Sequence, residues 1–192
     1  VERYVGLLAG PGIERGLIGP REISRVWDRH ILNCAVVAEL VPRGCTLVDI
    51  GSGAGLPGIV VGILRPDVPV ILLDPMLRRT VFLDECVASL GLDHVSVRRG
   101  RAQDMAGEIT ADVVIARAVA PLRRLVPMAV GLTRPGGTIL ALKGAQAERE
   151  LAEAADVLAA LGIRHAEILA VGQGRVEPET LVVRLVVGDF RR

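Results

Sequence analysis

The chain has 192 residues, enough for one domain with a sizeable core and a small extension. It is 51% hydrophobic, yet no apolar run approaches the ~18 residues that a membrane-spanning helix needs, which excludes a helical membrane protein. A net charge of +1 argues against wholesale coating of nucleic acid, and two Phe, one Tyr and one Trp are too few for a surface that holds single strands by stacking.

Residues 1–19 open as a helix ("RYVGLLAG") and then loop through "GPGIERGLIGP". After Pro20, "REISRVWDRHILNCAVVAEL" carries apolar residues at Ile23, Val26, Trp27, Leu32, Ala35, Val36 and Leu40, a helical stripe that Pro42 and Gly44 end. Residues 1–41 are thus expected as a helical extension, ahead of a main unit spanning 42–192. In that unit strands and helices alternate. "CTLVDI" reads as a strand, Gly58 to Leu64 as a helix stopped before Pro66, and "VPVILLD" as a second strand. Residues 77–91 form a helix closed by Gly91, followed by "HVSVRR" and "ADVVIA" as strands. "LRRLVPMAVGL" is helical, "GGTILALK" is the fifth strand, and 146–161 is the clearest amphipathic helix. "RHAEILAV" and "TLVVRLVV" close the chain as an antiparallel pair. The alternation predicts an α/β fold with right-handed crossovers: a doubly wound, mostly parallel sheet with a terminal antiparallel pair.

Cys34, Cys45 and Cys86 are odd in number and show no C-x-x-C spacing. They are expected as buried reduced thiols, with no metal site, in a reducing cytoplasmic compartment. No secretory leader is visible.

The stretch "LVDIGSGAGLPG" (47–58) runs from strand residues through an acid into a glycine-rich turn before a helix, where backbone must approach a ligand closely. It contains G-x-G-x-x-G at Gly53, Gly55 and Gly58, and also reads D-x-G-x-G-x-G from Asp49. A pyrophosphate site wants its first glycine straight after the strand, whereas the literal fingerprint here starts late, at Gly53. Starting at Gly51 instead puts Leu56 where the third glycine belongs. Asp49 would repel a pyrophosphate but suits a ligand with an ammonium and a sulfonium. Asp74, closing the second strand in "ILLDP", stands where an acid bonds ribose hydroxyls. The reading is S-adenosylmethionine, held by Asp49, Gly51, Ser52, Gly53, Gly55 and Asp74. Three functions stay open on these residues alone: a methyltransferase acting on RNA, one acting on a small metabolite, and an NAD-dependent oxidoreductase or nucleotide-binding module without chemistry.

"VDIGSGAGLPGIVVGILRPDVPVILLDPMLRRTVFL", with "VWDRHILNCAVV", "RGRAQDM", "VIARAVAPL" and "ALKG", closely resembles the small-subunit ribosomal RNA guanine-N7 methyltransferase family, also called glucose-inhibited division protein B. The resemblance spans about residues 21–145. It implies a Rossmann-like class I methyltransferase sheet and S-adenosylmethionine-dependent methylation of one guanine in small-subunit rRNA, within a ribosomal particle. It also implies cofactor contacts at Gly51, Leu56, Ala102, Gln103 and Arg117. Two stretches depart from the family: its usual Asn-Leu-Thr is replaced by "GLIGPRE", and its usual Arg before the final "LVV" strand by "PET". Both bear on RNA or substrate contacts, and neither touches the cofactor loop.

Guanine N7 has a free lone pair, so methylation there removes no proton and asks for alignment in place of a general base. Arg117 is the expected orienting residue. His30 is a candidate RNA contact, and so are Arg78, Arg79, Arg123, Arg124 and the sole lysine, Lys143, all near the carboxyl edge of the sheet where open parallel sheets bind ligands. The chain is expected to act as a monomer.

Overall fold

The computed structural model describes residues 1–189; the end of the expected 42–192 unit, with Phe190, lies outside them. Seven strands form one sheet in the order β3-β2-β1-β4-β5-β7-β6. They are β1 (Leu47–Ile50), β2 (Val70–Asp74), β3 (Val95–Arg99), β4 (Ala111–Arg117), β5 (Thr133–Lys143), β6 (Ile163–Val171) and β7 (Thr180–Val187). The helices are α1 (Glu2–Leu7), α2 (Leu32–Val37), α3 (Gly58–Leu64), α4 (Leu77–Leu90), α5 (Leu122–Val130), α6 (Ala147–Glu153) and α7 (Ala155–Ala160). Strands β1 to β5 pair in parallel, while β7 lies antiparallel between β5 and β6. Only β7 therefore opposes the rest. Strand order reverses at β1/β4, and a crevice opens there beyond the carboxyl ends.

The sheet is buried on both faces, which explains the short, nearly continuous apolar strands. Leu47, Leu72, Ile115 and Leu140 pack on one face against Ile59 and Val60 of α3 and Phe82 and Leu83 of α4. Val48, Val114, Ile139 and Val183 pack on the other against Leu122, Leu125 and Val126 of α5 and Leu158 of α7. Tyr4, Leu8, Val26, Ile31 and Val37 belong to the first cluster, so the N-terminal segment shares the sheet's own core. Each such side chain contributes about 1.5–3 kcal/mol by burial, a large sum against a net stability of about 5–15 kcal/mol.

Four elements differ from expectation. Where a loop was expected from Gly10, α1 runs on into a wide π turn (Leu8–Gly12) that includes Pro11. The continuous helix over 21–40 is instead a relay: a 3-10 turn (Pro20–Arg25), a wide π turn (Trp27–Ile31), α2, and a last 3-10 turn (Ala38–Leu40). The wide turn brings Val26 and Ile31, spaced too far apart for one α-helical face, into the same core and leaves Trp27 42% exposed. The 146–161 helix breaks at Ala154 into α6 and α7. Strand β5 begins at Thr133, earlier than expected, because Pro135, Gly136 and Gly137 form an irregularity opposite the Ala111–Val113 step. Among the described residues no helix is long and apolar enough to cross a membrane.

Candidate active site

The glycine loop leaves β1 at the strand-order reversal. The Gly51 and Ser52 amides donate to the Leu73 carbonyl at 2.8 and 3.2 Å, folding the loop back over β2. Gly51 has φ +66°, and a Cβ there would stand 2.8 Å from Val119 Cγ2. Asp49 is fully buried beneath this loop. Its Oδ2 accepts the Gly58 N–H at 2.9 Å, and its Oδ1 has no hydrogen-bond partner among the described residues. Burial pushes the Asp49 carboxyl up to about 7, against the pull of the Gly58 N–H, the nearby Ser52 hydroxyl and the Arg117 charge.

Gly58 admits no side chain, since a Cβ would lie 2.6 Å from Asp49 Oδ2 and 2.9 Å from Asp49 Cβ. Gly58→Ala is therefore expected to lower stability by about 1–3 kcal/mol in urea unfolding and to weaken cofactor binding by displacing Asp49. Wild-type values for both would show that the packing around Gly58 yields freely.

Asp74 is also fully buried. Its Oδ1 accepts the Met76 N–H at 2.9 Å, and its Oδ2 accepts the Gly53 N–H at 3.1 Å and Arg79 Nη1 at 3.2 Å. Ala102, buried, and Gln103, exposed, lie in the turn after β3, which is tied to β2 by the Gly100 N–H on the Asp74 carbonyl at 3.2 Å. Asp49, Gly51, Ser52, Gly53, Gly55, Leu56, Asp74, Ala102 and Gln103 thus gather along the carboxyl ends of β1, β2 and β3.

Arg117 ends β4 on the far side of the loop, half-buried. Beyond it Ala118 is the only non-glycine residue with positive φ (56°) among the described residues, a conformation that costs a residue with a side chain about 1–2 kcal/mol. This turn is clamped. Lys143 Nζ donates to the Ala120 carbonyl at 2.7 Å and pairs with Glu150 Oε2 at 2.8 Å, and that oxygen also accepts the Leu122 N–H at 2.9 Å. Beside the turn opens a cleft of about 690 Å³, lined in part by Arg29, Asn33, Arg117, Val119, Lys143 and Thr180. Thr180 donates to Asn33 Oδ1 at 2.8 Å. The "PET" departure therefore sits in the cleft wall.

The residues expected to meet RNA divide. Arg78 and Arg124 are exposed and make no ion pair among the described residues. Arg79 is instead turned onto Asp74, and Arg123 grips Asp156 through two bonds of 2.6 and 2.7 Å. Lys143 is spent on the clamp. His30 has both ring nitrogens engaged, by Glu22 and Arg117, so it offers RNA no free polar atom. In each case the reason is a carboxylate or carbonyl, joined at His30 by the Arg117 guanidinium, that folding brings within reach. Sequence reasoning missed Tyr4, whose hydroxyl donates to the Ala54 carbonyl at 2.7 Å and ties α1 to the loop. It also missed Glu22, Asn33 and Glu150, and no local spacing announces any of them.

The family model for GidB, rRNA small subunit methyltransferase G, matches residues 1–179. The chain belongs to this family. Ribosomal RNA small subunit methyltransferase G of Thermobifida fusca is 56% identical over 186 residues, covering 97% of this chain and 78% of that protein. The protein of the same name from Streptomyces avermitilis is 55% identical over 188 residues, covering 97% and 79%. A solved protein of Methanococcus maripaludis, described as an S-adenosyl-L-methionine-dependent methyltransferase, superposes with a TM-score of 0.67 at 15% identity, covering 97% of this chain and 94% of that one. That likeness shows the fold alone.

Proposed function

We propose that the chain transfers the methyl group of S-adenosylmethionine to N7 of one guanine in small-subunit ribosomal RNA. The cofactor, when bound, supplies an electrophilic methyl on a sulfonium. The residues present fit such a group. Asp49 keeps one buried oxygen without a partner, suited to the cationic methionine end, and Asp74 stands at the ribose position beyond β2. Asp49, beneath the loop where a pyrophosphate would sit, and the late glycine register both count against a dinucleotide, while an acid at Asp74 would serve the ribose of either cofactor.

The observation that carries the N7 assignment is the wall of the cleft next to the glycine loop. Arg117 presents only donors there, and the nearby Glu150 carboxylate is already taken by Lys143 and the Leu122 N–H. Guanine's O6 and N7 are both acceptors, so its major-groove edge matches the Arg117 fork, while the exposed Glu179 carboxylate in the same wall is an acceptor suited to the base's own N–H donors. N7 also needs no proton removed, so the chain's task is to orient the base and exclude water.

Arg78 and Arg124, exposed beside the crevice, are the phosphate contacts of choice. The three buried cysteines support a reducing, cytoplasmic setting. The substrate in this reading is RNA within a ribosomal particle, met by a monomer. The test is tritiated-methyl transfer from S-adenosylmethionine to small subunits that lack the modification, followed by mapping of the labelled base. Label on N7 of a guanine is expected; label on another atom, or only on a small metabolite, would overturn the assignment. In the same assay Arg78→Ala and Arg124→Ala should each shrink the log–log salt slope of RNA binding by about 0.7–0.9, while Arg123→Ala leaves it unchanged.

A further inference from the structure

His30 joins segments that are remote in sequence. Arg117 Nη2, at the end of β4, lies 3.1 Å from His30 Nδ1. The other ring nitrogen, Nε2, lies 2.8 Å from Glu22 Oε2 in the first 3-10 turn, and Arg29 Nη1 stands 3.4 Å from the second oxygen of Glu22. A guanidinium can only donate, so Nδ1 must be the acceptor and the ring proton must sit on Nε2, donated to Glu22. The contacts therefore fix both the charge and the tautomer of the ring, which is only 14% exposed.

We propose that His30 is a positioning residue: the N-terminal segment holds Arg117 at the crevice through a Glu22–His30–Arg117 chain, and protonation of His30 releases it. The inference rests on the reading of Arg117 as a site residue. A guanidinium at a strand end has several staggered geometries within reach, and one neutral acceptor selects among them. Once Nδ1 carries a proton, donor faces donor and cation faces cation, so the Arg117 contact is lost. The charged groups around the ring are Arg117 from β4, Glu22 from the 3-10 turn and Arg29 from the ring's own turn. Burial and the Arg117 charge hold the imidazole below its usual range, while Glu22 works the other way. The ring is thereby kept neutral and accepting at neutral pH. Release comes only as pH falls through the lowered midpoint.

The test reads the ring directly, by long-range proton–nitrogen NMR of the imidazoles, with the His30 signals identified by their loss in His30→Asn. Wild type is expected to show a neutral Nε2–H tautomer at pH 7.5 and a midpoint below about 6.5. Glu22→Gln should lower that midpoint and Arg117→Gln should raise it. An Nδ1–H tautomer, or a midpoint that neither variant moves, would overturn the chain. Single-turnover methyl transfer at saturating cofactor and RNA supplies the functional arm. His30→Leu should lose about tenfold or more, whereas His30→Asn, with a neutral acceptor where Nδ1 stood, should stay within about threefold and lose the acid limb. Equal losses in the two variants would also overturn it. The NMR arm needs no RNA: the expected spectrum from a wild-type protein that methylates no guanine would sustain the chain and refute the proposed reaction.

Discussion

Arg117→Lys is expected to cut single-turnover methyl transfer roughly 100-fold while leaving the fold intact, because misplacement by about 1 Å at a reacting centre costs on that order. Arg117 stands where the glycine loop, the β4 turn and the cleft meet, and its fork can serve His30 and a ligand at once. Lysine keeps the charge but, as a single compact donor group, cannot keep that geometry. The loss should appear at saturating RNA and cofactor, with the thermal midpoint within a few degrees of wild type. A variant that turns over at the wild-type rate would remove Arg117 from the site. Since N7 carries no proton, wild-type turnover should stay nearly flat from about pH 7 to 8.5, above the His30 limb, and a unit-slope limb inside that window would reveal a general base.

Asp49→Asn is expected to separate stability from binding. Burial raises the folded-state pKa of Asp49 to about 7, above the usual carboxyl value of 3.8. Between those two values the folded protein holds more protons than the unfolded chain, so this group's contribution to stability falls as pH rises from about 4 to 7 and then levels off. Above pH 7 an ionised Asp49 is a cost to the cofactor-free protein. Asn removes that charge and should stabilise the free protein at pH 8 by about 1–2 kcal/mol, as replacements of strained functional groups commonly do.

The same substitution should weaken binding of the demethylated cofactor product, whose ammonium favours the ionised carboxylate, by roughly 1.5–3 kcal/mol. In wild type, binding should release a proton below pH 7, and affinity should rise up to tenfold per pH unit towards 7 before it flattens. Titration calorimetry in buffers of different ionisation heat reads that proton. PH-independent affinity between 5.5 and 8, with no proton released, would place the cofactor's charge elsewhere.

Some of this molecule was written in local patterns. Short apolar runs alternating with helical stripes gave the doubly wound sheet, because a strand buried on both faces and a one-sided helix each leave a distinct periodicity. Gly51 and Gly58 marked the loop, since a left-handed turn and a helix start pressed against β1 exclude a Cβ. Asp49 and Asp74 were legible because strand ends place their residues at the crevice whatever the rest of the chain does. The helix over 21–40 was legible as helical but not in its register. Whether Val26 and Ile31 share a face depends on the sheet they pack against.

What the amino-acid sequence determined by itself is therefore the strand and helix alternation, the family, and the glycine loop at the carboxyl edge of the sheet. What only the tertiary structure decided is which charges are free to act. Arg79 lies on Asp74, Arg123 on Asp156, Lys143 on Glu150, and His30 between Glu22 and Arg117. Sequence counts cations, but a cation's role depends on whether folding brings a carboxylate or carbonyl within about 3 Å of it. Several of these partners come from segments that only the closed sheet and the docked N-terminal segment bring together.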